Sequence, residues 1–425
     1  MNDFLTLPDA PALRLDNLTL PGCLAGSTAE TVRGSLTVSQ GRIVADAPGA
    51  ASVDMKGAMA FPTFVDMHTH LDKGHIWPRT PNLDGSFAGA LTAVGGDREA
   101  AWSAEDVRTR MTFALRAAYA HGTGAIRTHL DSIPPQDDIS WGVFREVRQD
   151  WAGRIALQAA CLLGCEGATN DGPFTHTADL VAASGGILGM VTYPVPGLQG
   201  MLDTFFDHAI ARGLEVDFHA DETMDPEVNT LKSIAETVLE RGFDRPVTVG
   251  HLCSLSTMPE AEALRTLDLV AKAGLNVVSL PMCNLYLQDR HAARTPRGRG
   301  ITLVHEMKAR GINVSFASDN TRDPFYAYGD LDMLEVMREA TRIGHLDHAD
   351  PDWTLAFTVN PARACGFAAP SFAPGAPADL VICRARSWTE LFARPQSDRI
   401  VLRGGRAIDR TLPDYAELDH LMRTA

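Results

Sequence analysis

Four short apolar runs of this 425-residue chain close on groups suited to a metal ion. Phe61-Pro-Thr-Phe-Val-Asp-Met67 ends in His68-Thr-His70, Leu214-Glu-Val-Asp-Phe218 in His219, Val247-Thr-Val-Gly250 in His251, and Ile312-Asn-Val-Ser-Phe-Ala-Ser318 in Asp319. Alternation along a strand turns His68 and His70 to the same side, as two ligands of one ion must be. One strand-end histidine is more often a hydrogen-bonded core residue than a ligand, and HxH alone is a weak signal. The set of four ends at regular spacing is not explained that way. Neutral imidazoles and a carboxylate hold a divalent ion while leaving a position for water, whose pKa falls from about 15.7 to about 7. The chemistry assembled is hydrolytic.

Such groups need a scaffold that brings strand ends together. Candidate strands end near His70, Asp131, Cys161, Tyr193, His219, His251, Leu280 and Asp319, most of them about 30 residues apart, the length of one β/α unit. Amphipathic helices lie between them. Ser103 with Asp106 reads as a capping box, followed by Val107, Met111, Leu115 and Tyr119 on one face. Eight units predict an α/β fold, a (β/α)₈ TIM-type barrel with its chemistry at the C-terminal strand ends, and neither GxGxxG nor GxxxxGK[ST] is present to favour a doubly wound sheet. The segment WPRTPNLDGSFAGALTAVGG at 77–96 reads as a long loop over the site. At the two ends, Ser35–Val38, Ile43–Val44, Asp379–Cys383 and Ile400–Leu402 alternate around glycine turns. They predict a small β-sandwich built from both termini, residues 1–60 and 363–425, around a barrel at 61–362.

Composition narrows the partners. The net charge of -15, from 38 basic and 53 acidic residues, repels a phosphate backbone, so a nucleic acid polymer is not expected. No apolar run is long enough to span a bilayer, and Asp3 and Asp9 stand where a signal peptide needs cations and a continuous apolar stretch. A cytoplasmic protein is expected. The seven cysteines, at 23, 161, 165, 253, 283, 365 and 383, form no CxxC pair and read as free thiols.

These residues resemble the amidohydrolase superfamily, and flanking motifs resemble its cytosine deaminase branch: FPTFVDMHTHLDK (61–73), RTHLDS (127–132), HADE (219–222), GH (250–251), NLYLQDRHAARTPRGRGITLVHEM (284–307) and ASDNTRDPFYAYG (317–329). The resemblance implies that His68, His70, His219 and Asp319 bind one divalent metal, Fe²⁺ or Zn²⁺, with His251 and Glu222 working beside it. Deamination of an aromatic amidine puts one proton on a ring nitrogen and another on the departing amine, and Glu222, three residues past His219, is placed to shuttle them. Without that histidine, Glu222 would read as an exposed loop acid. His251 can hydrogen-bond the attacking water or the developing oxyanion, and Asp319 can accept the water proton as well as ligate. The bridging lysine of two-metal relatives is missing from Gly186–Tyr193, so the site is expected to be mononuclear. Lys73 reads as a loop cation, with substrate contact the lesser alternative; His129 and Asp131 read as groups that orient ligands.

Departures from the branch bear on substrate. Cys165 stands where cytosine deaminases carry a glutamine, and Asn320 where they carry a second aspartate. A thiol cannot supply the paired donor and acceptor of an amide. With Gln288 and Phe325, these positions are the expected substrate contacts, in a pocket shaped for 5-methylcytosine more than cytosine. The alternatives are isocytosine, isoguanine, creatinine or an N-alkylamino triazine; a non-catalytic scaffold is disfavoured by the complete ligand set. The expected partner is a nucleobase-like small molecule, and a homo-oligomer is expected.

Overall fold

The computed structural model describes residues 4–169 and 172–422. Eight parallel strands carry the central body: β1 Phe64–Thr69, β2 Thr123–Asp131, β3 Ala156–Leu162, β4 Leu188–Thr192, β5 Val216–Ala220, β6 Val247–His251, β7 Asn276–Ser279 and β8 Asn313–Phe316. β1 to β3 form a three-stranded sheet and β4 to β8 a five-stranded one. Isolated parallel bridges join the sheets on both sides, Ala160 to Ile187 and Gly164 to Val191 between β3 and β4, and Thr69 to Asp319 just past β8. The strands are short apolar runs, buried on both faces as covered parallel strands must be. Gly189 in β4 permits one close approach, since a Cβ there would fall 2.1 Å from the Cys161 carbonyl oxygen of β3.

Intervening helices obey their sequence signals with two differences. Helix Ala104–His121 starts at Ser103, whose hydroxyl accepts from the Asp106 amide, and it buries Val107, Met111 and Leu115. The reciprocal half of a capping box is replaced, because the Asp106 carboxylate binds Arg79 and Arg110. The second difference lies in 77–96, which is not all loop: helix Phe87–Ala101 begins there, capped by Ser86 accepting from Gly89. Three nearby glycines, Gly89, Gly95 and Gly96, lower its intrinsic propensity and hid it. Arg79 pins this segment, donating to Asp97 at 2.8 and 2.9 Å and to Asp106 at 2.5 Å.

Both ends of the chain enter one eight-stranded sheet. Strand Met59–Pro62 pairs antiparallel with Leu380–Cys383, which pairs with Ile400–Arg403; Ala12–Pro21, Thr31–Ser39 and Arg42–Val44 continue it. Leu13, Leu15, Leu18, Leu380 and Leu402 give the sheet its own core. A buried ion pair fastens it to the central body. Arg399 holds both oxygens of Asp332, with Nη1 to Oδ1 at 2.7 Å, and also donates to the His121 carbonyl. Asp332 in turn caps helix Met333–Gly344 through the Leu334 amide. Burial pushes the Asp332 carboxyl up, but Arg399 outweighs it and holds the group well below the usual carboxylate range.

Removing one partner of a buried pair leaves the other charge desolvated, so Arg399→Leu is expected to lower unfolding free energy by about 3 to 5 kcal/mol in chemical denaturation. Because the Asp332 pKa is depressed on folding, the wild-type advantage is present at neutral pH and declines as pH falls below the ordinary carboxylate value. A loss under about 1 kcal/mol, the scale of an exposed pair, would contradict this reading.

Candidate active site

The C-terminal ends of the strands converge on a buried cluster of imidazoles and acids. The Asp319 amide donates to the His68 carbonyl at 2.9 Å and Thr69 Oγ1 donates to the Asp319 carbonyl at 2.8 Å, which sets Asp319 against the HxH pair. Asp319 Oδ1 lies 3.2 Å from His70 Nε2 and 3.6 Å from His68 Nε2. The His219 ring is 4.4 Å from His68 and 4.9 Å from His251. Gly250 makes room for this crowding, because a Cβ there would meet the His68 ring at 3.0 Å. His251 and Asp319 sit at positive φ, 73° and 63°, a conformation that costs about 1 to 3 kcal/mol for a residue with a side chain and recurs at functional sites.

Both ring nitrogens of His68, His129 and His219, Nδ1 of His70, Nε2 of His251 and both oxygens of Asp319 are buried without a hydrogen-bond partner. Burial, reinforced by neighbouring imidazoles, holds His68 and His219 well below the usual histidine range, and burial aided by Lys73 does the same to His70. Burial pushes Asp319 up to about 7. Neutral imidazoles facing an acid that lacks a counter-charge form a donor set that fits a divalent cation. Ligand atoms of His68, His251 and Asp319 lie within 4.8 Å of one another, as do those of His68, His129 and His219.

Glu222 reaches the site because of its neighbour. The buried Asp221 carboxylate accepts from the Thr230 amide and hydroxyl at 2.8 and 2.6 Å and from Leu231 at 3.1 Å, capping helix Thr230–Arg241 and turning Glu222 inward. Burial, then Asp319, pushes Glu222 well above the usual carboxylate range. Its Oε1 accepts from Asn284 at 2.9 Å.

Glu222 and Asp319 border a cavity of about 610 Å³, lined also by His70, His219, His251, Asn320 and Phe325. Leu162, Leu163, Val191, Tyr193, Pro194, Phe87, Leu91 and Val94 give the cavity a large apolar share of its lining. Two expected contacts are corrected. Cys165 is fully buried and does not line the cavity, because Gly164 and Tyr193 occupy that wall. Gln288 lies beside the Cys253 thiol, outside the lining.

Lys73 is a buried wall group rather than a solvated loop cation. Its Nζ pairs with Asp131 at 3.0 Å and lies 5.2 Å from the Phe325 ring centroid. Burial lowers its pKa, but Asp131 and Asp72 more than offset this and keep the ammonium charged. Arg98 holds the other Asp131 oxygen at 3.0 Å. His129 belongs to the imidazole cluster, 4.1 Å from His68, and is backed by Asp217 at 3.1 Å, itself paired with Arg127. The sequence reading missed Asn284, as well as Phe87, Leu91, Val94 and Arg98, whose spacing of four, three and four marks one helical face.

The profile of the Amidohydrolase family matches residues 166–408. A pterin deaminase of Rhizobium rhizogenes is 52% identical over 98% of this chain and 98% of its own. The structure of 5-methylcytosine deaminase from Klebsiella pneumoniae liganded with phosphonocytosine is 26% identical at a TM-score of 0.78, over 93% of this chain and 98% of that one. N-isopropylammelide isopropylaminohydrolase from Burkholderia multivorans is 26% identical at 0.73, over 94% and 98%. Among the described residues no helix is long and apolar enough to cross a membrane.

The donor set predicts that purified protein binds about one Fe²⁺ or Zn²⁺ per chain and melts at a higher temperature with it than after chelation. His68→Ala is expected to lose the metal. Full metal content in that variant, or no metal in wild type under either loading, would contradict the assignment.

Proposed function

We propose that this chain, which belongs to the amidohydrolase family as one of its hydrolytic deaminases, removes the 2-amino group of a pterin to give the 2-oxo heterocycle and ammonia. The observation that carries this reading is 52% identity to a pterin deaminase along 98% of both chains. The cavity agrees. At about 610 Å³, with apolar walls beyond the polar floor, it has room for two fused rings where a cytosine has one. The reacting half of a pterin is an isocytosine ring, so the change from the expected cytosine type lies in which carbon carries the amine and in the second ring. We read the eight parallel strands as one closed (β/α)₈ barrel with seams at the two sets of isolated bridges, and the domain limits at 61 and 362 as those of that barrel.

His68, His70, His219 and Asp319 would hold the metal. A divalent ion there lowers the pKa of water toward neutrality and so supplies the nucleophile. Asp319 takes the proton released as water adds to the ring carbon bearing the amine. Glu222, kept protonated by its buried position, donates to the adjacent ring nitrogen, regains the water proton from Asp319 and passes it to the leaving amine, and takes the hydroxyl proton as the carbonyl forms, so water plus amidine becomes the oxo ring plus ammonia and both acids return to their starting states. The Lys73 ammonium faces the same cavity and would donate to the ring carbonyl. Phe325 and Phe87 flank the aromatic faces, and Asn320 lies at the polar end.

Ammonia release is expected to be faster with pterin than with isocytosine, cytosine or 5-methylcytosine by about 10²-fold in kcat/KM, since one buried carbon alone gives roughly 10- to 200-fold. Preference for a single-ring base would overturn the pterin reading and restore the cytosine-type one. Glu222→Gln is expected to keep its metal and lose roughly 10²-fold or more in kcat; a rise in KM alone would make Glu222 a binding group.

A further inference from the structure

Asn284 is buried in the first turn of helix Pro281–Leu287, directly after β7. Its side-chain nitrogen lies 2.9 Å from Glu222 Oε1 and 3.0 Å from His251 Nδ1. Two groups with separate tasks thus share one amide. Its backbone is pinned from outside by Gly300, where φ is 64° and a Cβ would come 2.8 Å from the Asn284 carbonyl oxygen. The loop at 288–300 therefore closes tightly on this turn, and only glycine lets it do so.

Glu222 Oε1 accepts from Asn284 whether the acid is ionised or carries its proton on Oε2, so the Asn284 atom facing it is the NH₂ group. Its two protons can serve both neighbours, one to Glu222 and one to His251 Nδ1. A neutral imidazole that accepts at Nδ1 carries its single proton on Nε2. That nitrogen is buried and has no hydrogen-bond partner, and the ring lies 5.3 Å from His68 and 4.9 Å from His219. His251 is then a donor at the reaction centre and cannot take a proton there. The opposite arrangement, with the His251 proton on Nδ1 and Nε2 left as an acceptor, needs the amide turned over and the Glu222 proton on Oε1, or an Nδ1 proton aimed past the Asn284 NH₂ at Glu222 Oε1 3.4 Å away.

We propose that Asn284 is a positioning residue that fixes Glu222 in orientation and His251 in its Nε2–H tautomer, so that His251 stabilises negative charge developing on the attacked carbon's oxygen while proton transfer is left to Glu222 and Asp319. The kinetic part of this inference rests on the deaminase reading. The tautomer does not.

The test is ¹⁵N NMR of zinc-loaded protein labelled at histidine, with the His251 signals assigned by their loss in His251→Gln. Wild type is expected to show a protonated Nε2 and an unprotonated Nδ1. Asn284→Asp has the same shape but cannot donate, so it is expected to invert the tautomer. It should also lower kcat by about 10²- to 10⁴-fold, the scale of lost acid–base help or of a wrong tautomer at an active site, with KM within about threefold and metal content unchanged. Asn284→Ala, which leaves either tautomer open, is expected to fall between. A wild-type His251 protonated on Nδ1 overturns the proposal whatever the variants do, as does an Asn284→Asp enzyme that keeps its metal and its kcat. If pterin is not a substrate, the wild-type spectrum still decides the tautomer, and the failure belongs to the substrate assignment alone.

Discussion

Much about the centre of this protein follows from burying imidazoles and a carboxylate together with many of their polar atoms left without a hydrogen-bond partner. Each unsatisfied buried polar group costs about 1 to 3 kcal/mol, and His68, His70, His129, His219, His251 and Asp319 all carry such atoms. No rearrangement of hydrogen bonds among them removes that cost, since neutral imidazoles and an acid without a counter-charge crowd one point. A divalent cation held by them would. The scaffold accordingly holds the cluster open: the Thr69 to Asp319 bridge fixes one side, and Asp217 backs His129 while Arg127 neutralises Asp217 from below. Gly250 leaves the His68 ring its space.

The groups of the buried cluster were legible in the sequence because each closes an apolar run, and alternation puts His68 and His70 on one side; Asp319 lies three residues past its strand and is set by the Thr69 contact. The eight strands were legible for the same reason. What lay beyond reach was set by tertiary contact. Asn284 looks like any polar residue after a strand until Glu222 and His251 are seen on either side of it. Lys73 gave no sign of burial, because of the acids that keep it charged only Asp72 is its neighbour in sequence, while Asp131 comes from the end of β2. Cys165 was expected in the pocket because it stands where cytosine deaminases carry a glutamine; it is buried beside Tyr193, which lines the cavity there. The helix Phe87–Ala101 was obscured by its glycines and by its weak apolar periodicity, although Phe87, Leu91 and Val94 share one of its faces.

That helix matters to selectivity. The polar floor, with Glu222 and Asp319, treats the reacting amidine edge and would serve many amino-heterocycles. The upper walls, from Phe87, Leu91 and Val94 on one side and Leu163, Val191 and Tyr193 on the other, decide how much ring can follow that edge inside. Arg79 ties this helix, through its Asp97, to Asp106 at the start of the next one.

The central claim is that the buried cluster carries out hydrolytic deamination, in which the oxygen of one water replaces the amine on the ring. Turnover of pterin in ¹⁸O-labelled water, followed by mass spectrometry of the product, tests this most directly. The account predicts one labelled oxygen per product molecule, on the former amine-bearing carbon, with one ammonia released for each. Unlabelled product, or label appearing in an opened ring, would contradict it.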